Sequence, residues 1–518
     1  MFKLSNRQAW LAGLIGCLAL LALYIPLFAT EQINADQVNA LYLAQDMLAG
    51  NWRLHHWWMA PDNYWGLDEL IFAAVWTITH NAILTIRLVP IIGWMCLGII
   101  IVILGAGADL KRGKYGSLLI LAAIIIIPIS GPFVTDFYFN APLHIPTIAA
   151  IFLVIAILEP ALPAVKLGFG RIIALGLISI DAAFSDPLFI YVGILPIIIA
   201  LLLLSSAAVP KRLQIIAILI GSLILAKLAL YLNSTTGGFS FYSLPYEIHT
   251  LAELPAVIYL DAQGILSVFG CWSPVLQFPD TAIALIRVPL LIFILMPCFA
   301  AGIAILKKII FFRTTKHQLD FIETVLCLMI MANLFALIVP NTVQKLADIR
   351  FFLPSWVALA ILAARHFRLN FLSASYFGIV CVVAIMTDIA TCIQGRNITP
   401  FPEEPLSVAA ALEAHHLHYG YAIYWEASET MAAGDGSLTV RSISPNPSGP
   451  GIVSTKWFTK ADWYLGNPNT KQFFVLIPYQ HNLMTAQDVI TSFGKPAEIV
   501  PVGADFIYIY NGPLPALN

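Results

Sequence analysis

The chain has 518 residues, of which 59% are hydrophobic and only 11% are charged. A soluble domain carries about 25% charged residues, so this composition excludes a soluble globular protein and indicates a membrane protein. The formal net charge is -2, whereas nucleic-acid-binding domains are usually strongly basic, so no nucleic-acid partner is expected.

Several apolar runs match or approach the roughly 20 residues that a helix needs to cross the hydrocarbon core. We interpret the first run as a retained helix, because no small-residue cleavage site stands out after it. The pattern predicts an α-helical polytopic membrane protein with about eleven spans, at 9–29, 82–105, 116–131, 142–158, 171–183, 188–206, 213–232, 282–306, 319–339, 352–366 and 371–393.

The lysines and arginines of the connecting loops fall on one side if these spans alternate in direction. By the positive-inside rule that side is cytoplasmic, and it includes the N-terminus. The opposite, outer side then holds the loop 30–81, the loop 233–281 and everything after about residue 394.

The composition changes at "RNITPFPEE", residues 396–404, where the membrane pattern ends. We therefore divide the chain into a transmembrane domain, 1–393, and an outer domain, 394–518. In the outer domain, the short β-rich runs are "YAIYW", "LTVRSI", "KQFFVLIP" and "DFIYIYN", and the helical runs are "PLSVAAALEAHHLHYG" and "TAQDVITSFGKP". These runs predict a small α/β domain that either caps the outer face or contacts substrate.

The first outer loop has its own pattern of structure. Apolar residues recur at helical spacing over 36–48, and Gly50 provides a helix stop. A second helix is predicted over 66–79, and both are interpreted as interfacial helices. Between them lie Trp57, Trp58, Tyr64 and Trp65, which either pack against a sugar or prenyl chain or form an interfacial aromatic belt.

The start of this loop, "NADQVNALYLAQDMLAGNW", follows one span with an acid and then a helix. This arrangement resembles GT-C glycosyltransferases, in particular the bacterial branch that includes aminoarabinose transferases and protein O-mannosyltransferases. In those families an acid, often in an Asp-Glu pair, precedes a helix of the form xxYxxxAxxLLxG. Here Asp36-Gln37 replaces the pair, and the helix pattern is approximated by Tyr42, Ala44, Met47, Leu48 and Gly50. Two further segments, "FSDPLF" at 184–189 and "DIRFFLP" at 348–354, are similar to outer-end motifs of such proteins.

The resemblance implies transfer of a sugar from a polyprenyl-phosphate carrier to a lipid, glycan or protein acceptor at the periplasmic face of the bacterial inner membrane. Asp36 is the expected general base, since burial of a carboxylate can raise its pKa toward the working pH. Basic side chains would neutralise the phosphate leaving group, and the candidates are Arg350, Lys345, Lys227 and Arg287. The remaining expected substrate contacts are Tyr42, Asp62, His144 and Asp186.

No cofactor is firmly indicated, but a divalent metal is an open alternative. His55 and His56 with Asp62 offer ligands that suit zinc or manganese. Two other functions also stay open. The first is a transporter or flippase of a lipid-linked saccharide, which the charges of Asp320 and Glu323 near the inner end of the predicted span 319–339 keep open. The second is a non-catalytic membrane assembly subunit.

Overall fold

The computed structural model describes residues 33–110, 115–126, 144–159, 167–203, 208–241, 248–269, 271, 280–310, 319–340, 346–367, 375–379, 382–383, 386, 401, 403–478 and 484–517. The protein is mostly helical, with a small sheet region near the C-terminus. The predicted span at 9–29 and most of the predicted span at 371–393 lie outside the described residues.

The segment predicted to be the first outer loop, for which that name is kept, contains two helices and a short strand. These are α1 (Ala35–Leu48), β1 (Trp57–Met59) and α2 (Leu67–Thr79), so both predicted helices are confirmed. Helix α1 begins with a capping box, in which the Asn34 side chain accepts from the N–H of Gln37 at 3.1 Å. The Gln37 side chain accepts from the N–H of Asn34, also at 3.1 Å. Gln37 therefore satisfies a helix-end donor that would otherwise have no partner.

The helices that follow pack around one large apolar core. They are α3 (Ala82–Leu110), α4 (Gly116–Ile126), α5 (Ile145–Leu158), α6 (Phe169–Ser185), α7 (Leu195–Leu203), α8 (Val209–Thr235), α9 (Leu254–Val268), α10 (Asp280–Ile310), α11 (Phe321–Ile338) and α12 (Leu353–His366), with the two-residue strand β2 (Ser240–Phe241) after α8. A π-helical turn, Phe189–Ile194, precedes α7, and a 3-10 helix, Leu346–Phe352, precedes α12.

Five helices of the described chain are long and apolar enough to cross a membrane. They are Ala82–Leu110, Val209–Thr235, Arg287–Ile310, Phe321–Ile338 and Asp348–His366, and four shorter apolar helices accompany them. The count of about eleven spans is thus not confirmed. One of the shorter helices, Leu254–Val268, lies in the segment 233–281 that was predicted as a loop. Its proline occupies the first turn, where a missing N–H costs no helical hydrogen bond.

At one end of the bundle, charged side chains from three helices pair with one another. Lys308 Nζ lies 2.6 Å from Glu323 Oε1, and His366 Nε2 lies 2.9 Å from the same oxygen. Arg365 Nη2 lies 2.6 Å from Asp320 Oδ2, and Asp320 also caps α11. The two acids on which the transport hypothesis depended therefore hold helix ends together.

The C-terminal region forms an α/β unit. Its elements are α13 (Glu403–Ala414), β3 (Tyr419–Ile423), α14 (Tyr424–Ala433), β4 (Thr439–Pro445), β5 (Ile452–Ser454), β6 (Thr459–Lys460), β7 (Gln472–Ile477), α15 (Ala486–Phe493), β8 (Glu498–Val502) and β9 (Asp505–Asn511). A six-stranded sheet has the order β5-β4-β3-β7-β9-β8, and β3 runs parallel to β4 and β7. The strands predicted in "LTVRSI", "KQFFVLIP" and "DFIYIYN" are confirmed, and both predicted helices form, the first of them ending at Ala414. The run "YAIYW" is only partly a strand, because α14 begins at Tyr424. Side chains alternate along β3, with Ala422 in one apolar cluster and Tyr421 and Ile423 in another, so the sheet is covered on both faces.

The C-terminal unit joins the first outer loop through a second, three-stranded sheet. Strand β1 lies between β2 and β6, with Trp58 opposite Ser240 and Trp57 opposite Lys460. Lys460 Nζ also lies 3.1 Å from Asp46 Oδ1 at the end of α1. Helix α14 packs against α1, and nine of the fourteen residues of α1 are buried. A helix on a surface buries only one face, whereas α1 is buried on more than one. The additional burial arises because the C-terminal unit covers α1.

Candidate functional site

The loop between β1 and α2 is fixed to the C-terminal end of α6. The N–H of Tyr64 donates to the carbonyl oxygen of Ser185 at 3.0 Å, and the N–H of Gly66 donates to the hydroxyl of Ser185 at 2.9 Å. A Cβ atom at Gly66 would lie 1.8 Å from Oδ1 of Asp181. Only glycine, which has no Cβ, allows this close approach.

Four side chains from three separate segments meet beside this loop, and we call them the acid–histidine network: Asp62, Tyr64, His144 and Asp186. The Tyr64 hydroxyl donates to the Asp62 carboxylate, and His144 Nε2 lies 3.2 Å from the Tyr64 oxygen. The other imidazole nitrogen, Nδ1, lies 2.8 Å from Asp186 Oδ2. The network thus runs from the first outer loop to the start of α5 and the end of α6.

Hydrogen bonds connect the Asp62 carboxylate to the Asp186 carboxylate through Tyr64 and His144. Both imidazole nitrogens take part, one beside a hydroxyl and the other beside a carboxylate, and an imidazole nitrogen can donate or accept. A chain of this kind can pass a proton along its length, which is what acid–base chemistry requires.

Asp62 is the network member that a ligand reaches most readily. Its side chain is 27% exposed, whereas those of His144 and Asp186 are 10% and 2% exposed. Burial raises the pKa of the Asp62 carboxyl; the charge of His144 partly offsets this increase, and the charge of Asp186 adds to it. Asp62 is therefore a partly exposed carboxyl group that binds a proton at a higher pH than a solvated aspartate does.

Arg350 places a positive charge next to the network. Its charge lowers the pKa of Tyr64, which burial and the Asp62 and Asp186 charges raise well above the usual range. The guanidinium lies 5.2 Å from the ring centroid of Phe351, whose ring contacts that of His144 edge-on at 5.4 Å. Among the described residues, Arg350 makes no ion pair, and its buried Nε makes no hydrogen bond. Its charge is thus available to an anion.

Two further carboxyl groups lie behind the network at the start of α2. Asp68 and Glu69 are fully buried, and none of their four oxygens has a hydrogen-bond partner in the described structure. Burial raises the pKa of both well above the usual range, and for Asp68 the charge of Asp186 adds the next largest contribution. Both groups therefore favour the protonated form more than solvated carboxyl groups do, since an isolated buried carboxylate is costly.

The C-terminal unit contributes two aromatic side chains to the site. The Tyr424 hydroxyl donates to Asp36 Oδ1 at 2.8 Å, and the charges of both Asp36 and Asp62 raise its pKa, after the larger effect of burial. The ring of Phe458 stacks on that of Tyr64 at a centroid distance of 6.0 Å. Asp36, the predicted base, thus lies at the edge of the network and is held by the C-terminal unit.

The structure brings together about half of the residues that the sequence singled out. His144 contacts both Asp62 and Asp186, the charge of Arg350 acts on Tyr64 beside them, and Asp36 joins them through Tyr424.

The other predicted residues lie elsewhere. Tyr42 packs between the first outer loop and the C-terminal unit, where burial raises its pKa to about 12. Lys227 is exposed on α8, and Arg287 is buried near the start of α10 beside Cys271. Lys345 lies outside the described residues.

The predicted aromatic cluster belongs mostly to the joint with the C-terminal unit. Trp57 is 1% exposed and contacts the Trp463 ring edge-on at 5.1 Å. Trp58 packs on Tyr464 at 5.9 Å. Only Tyr64 enters the network. The four aromatic residues therefore do not act together, either as a surface for a sugar or prenyl chain or as an interfacial aromatic belt.

The two histidines of the metal alternative are directed away from Asp62. His55 Nδ1 contacts the carbonyl oxygen of Gly237, and His56 Nδ1 lies 2.6 Å from Asp462 Oδ1. Within the described part of the chain, no group of three or more His, Cys, Asp or Glu residues is placed to hold a metal ion.

Sequence reasoning did not assign site roles to Asp68, Glu69, Phe458 or Tyr424. The first two had a detectable signal, because "WGLDELIFAAVW" places adjacent acids in an otherwise apolar helix. Phe458 and Tyr424 had no detectable signal in the sequence, since they belong to the C-terminal unit, far along the chain from the first outer loop.

We compared the chain with protein-family models, curated proteins and solved structures. None of them matches it.

Proposed function

We propose that this protein is a membrane glycosyltransferase of the GT-C type, which transfers a sugar from a polyprenyl-phosphate carrier to an acceptor hydroxyl at the periplasmic face of a bacterial inner membrane. The single observation that carries the proposal is the convergence of Asp62, His144, Asp186 and an ion-pair-free Arg350 at one end of an apolar helix bundle. A base and a phosphate-binding cation beside lipid are what this chemistry needs.

The proposed reaction is a single displacement with inversion at the anomeric carbon. The acceptor oxygen bonds to the anomeric carbon while its proton passes to a carboxylate. The bond from that carbon to the phosphate oxygen breaks, and polyprenyl phosphate leaves with the electron pair. Arg350 would stabilise the charge on the departing phosphate, for which its planar guanidinium is suited.

Two carboxylates are candidates for the base. Asp62 is favoured by its exposed edge and its raised pKa, because a base works best with a pKa near the working pH. Asp36 stays the prediction from the family resemblance. If Asp62 is the base, Asp36 would instead orient Tyr424 and the acceptor beside Asp62.

The proposal includes the finer architecture expected from the sequence. About eleven spans would place the N-terminus in the cytoplasm and the C-terminal domain in the periplasm, with α1 and α2 near the membrane surface. The acceptor would be a lipid, a glycan or a protein. No step of the proposed reaction passes through a metal ion.

The test is an assay of sugar transfer by the purified protein in native lipid, with polyprenyl-phosphate mannose and polyprenyl-phosphate aminoarabinose as donors. The measured quantity is the polyprenyl phosphate that is formed from each donor. Asp62→Asn should lower kcat by roughly 10²–10⁴-fold, the usual contribution of general base catalysis. Asp435→Asn, a change of the same kind in an exposed turn of the C-terminal unit, should leave the rate unchanged.

Full activity of a correctly inserted Asp62→Asn variant would remove Asp62 as the base, and the same change at Asp36 tests the other candidate. Movement of intact donor across the membrane without bond cleavage would instead favour a transporter or flippase. If neither cleavage nor transport occurs with any donor, but removal of the C-terminal unit abolishes assembly of a complex, a non-catalytic subunit is favoured.

A further inference from the structure

A lateral groove lies between α6 and α8, next to the acid–histidine network but separate from its four residues. Its volume is about 520 Å³, within the range of roughly 300–1,000 Å³ that is usual for small-molecule sites. The groove is lined by residues of the first outer loop, α6 and α8, among them Arg53, Trp65, Leu177, Asp181, Ala229 and Leu232.

The walls of the groove change from apolar to polar along the bundle. Leu177 and Leu232, on α6 and α8, are 63% and 50% exposed, as expected of side chains that face hydrocarbon. Trp52 and Trp65 border the groove at the first outer loop, and tryptophan favours the level of the lipid headgroups. The groove therefore matches an amphiphile that lies along the bundle with its polar end at this loop.

The polar end contains a positively charged group that is already held in place. Arg53 Nε donates to Asn233 Oδ1 at 3.3 Å, and Nη2 donates to the carbonyl oxygen of Asn233 at 3.2 Å and to the Thr236 hydroxyl. In the described structure, Nη1 makes no hydrogen bond. An immobilised guanidinium with two free N–H donors is prepared to bind a phosphate.

The same groove contains a negatively charged group that is separate from Arg53. Asp181 makes no ion pair with Arg53, although both line the groove. Its carboxylate lies against Gly66, the residue that follows Trp65. A lipid with only a phosphate would be repelled by Asp181, whereas a headgroup that also carries an ammonium would satisfy both charges.

We propose that this groove binds a zwitterionic phospholipid with an ethanolamine headgroup. The phosphate accepts from Arg53, the ammonium donates to Asp181, and an acyl chain lies along Leu177 and Leu232. This inference is independent of the proposed sugar transfer, since it concerns a lipid that binds beside the network without reacting.

The test measures binding of phosphatidylethanolamine and phosphatidylglycerol with identical acyl chains to the delipidated full chain in detergent, by native mass spectrometry. The unaltered protein should bind phosphatidylethanolamine at least tenfold more tightly. Asp181→Asn should weaken this binding about tenfold and leave phosphatidylglycerol binding no weaker. Ala229→Trp should fill the groove and weaken both, whereas Ile224→Trp, on an exposed site of α8 outside the groove, should change neither.

Equal or tighter binding of phosphatidylglycerol would overturn the proposal. So would unchanged phosphatidylethanolamine binding in a folded Ala229→Trp variant. Displacement of bound phosphatidylethanolamine by an equal amount of polyprenyl phosphate would assign the groove to the sugar donor and would also overturn it.

Discussion

The hydroxyl of Tyr424 donates a 2.8 Å hydrogen bond to Asp36, across 388 residues of sequence. This contact joins the C-terminal unit to the first outer loop at the carboxylate that the sequence predicts to be the general base. The C-terminal unit is therefore part of the site, which favours a substrate-contacting role over a simple cap.

Tyr424→Phe should destabilise the joint and slow transfer, because it leaves the partly buried Asp36 carboxylate without its donor. A lost hydrogen bond to a charged group costs about 1.5–3 kcal/mol. The measurement is the thermal unfolding midpoint together with the transfer rate. Tyr419→Phe, an exposed tyrosine in the same unit, is the control, and equal effects of the two changes would contradict a specific role for Tyr424.

If Asp62 is the base, the acidic limb of the pH–rate profile should follow the pKa of Asp62, which depends on neighbouring charges. His144→Asn removes a charge that lowers the Asp62 pKa, so the limb should move to higher pH. Asp186→Asn removes a charge that raises this pKa, so the limb should move to lower pH. Shifts in the same direction, or no shift in kcat/KM profiles, would mean that the limb belongs to another group.

The buried pair Asp68 and Glu69 should make the protein less stable as the pH rises. The folded-state pKa of each lies well above the unfolded value, so the stability is fully present below the unfolded pKa and is lost as the pH rises through the folded pKa. Each unit of pKa difference corresponds to about 1.4 kcal/mol.

Glu69→Gln should therefore flatten the decline of the thermal midpoint as the pH rises above the unfolded-state pKa of a glutamate. Glu413→Gln, on the surface of α13, is the matched control and should follow the unaltered protein. An unaltered pH profile in the Glu69 variant would show that this group ionises without cost.

The ion pair of Lys460 with Asp46 should stabilise the three-stranded sheet at the joint. Lys460→Ala leaves Asp46 with its hydrogen bonds from Trp57 and Asn51 but without a cation. We expect a loss of about 1–3 kcal/mol, seen as faster hydrogen exchange at the amides of β1 and β6. Lys471→Ala, at an exposed position, should leave this exchange unchanged; similar acceleration in both variants would point to general loosening.

The sequence predicted the local elements well, because their signals are local. Helix α1 follows from the apolar residues at helical spacing over 36–48 and from Gly50 after its end, and β9 follows from "DFIYIYN". The prediction of a loop over 233–281 was wrong in part, for a physical reason. A proline interrupts the apolar run at 254–268 in sequence, but it occupies the first turn and the helix forms.

The sequence by itself determined that this is a largely apolar, helical protein with a C-terminal α/β unit, since composition and periodicity fix which segments avoid water. It also supplied the candidate acids, the histidine and the arginine. Only the tertiary structure decided that Asp62, and not Asp36, directly contacts Tyr64, and that Tyr64 meets His144 across 80 residues. Packing of whole helices against each other sets which ends meet, and no local pattern encodes that choice.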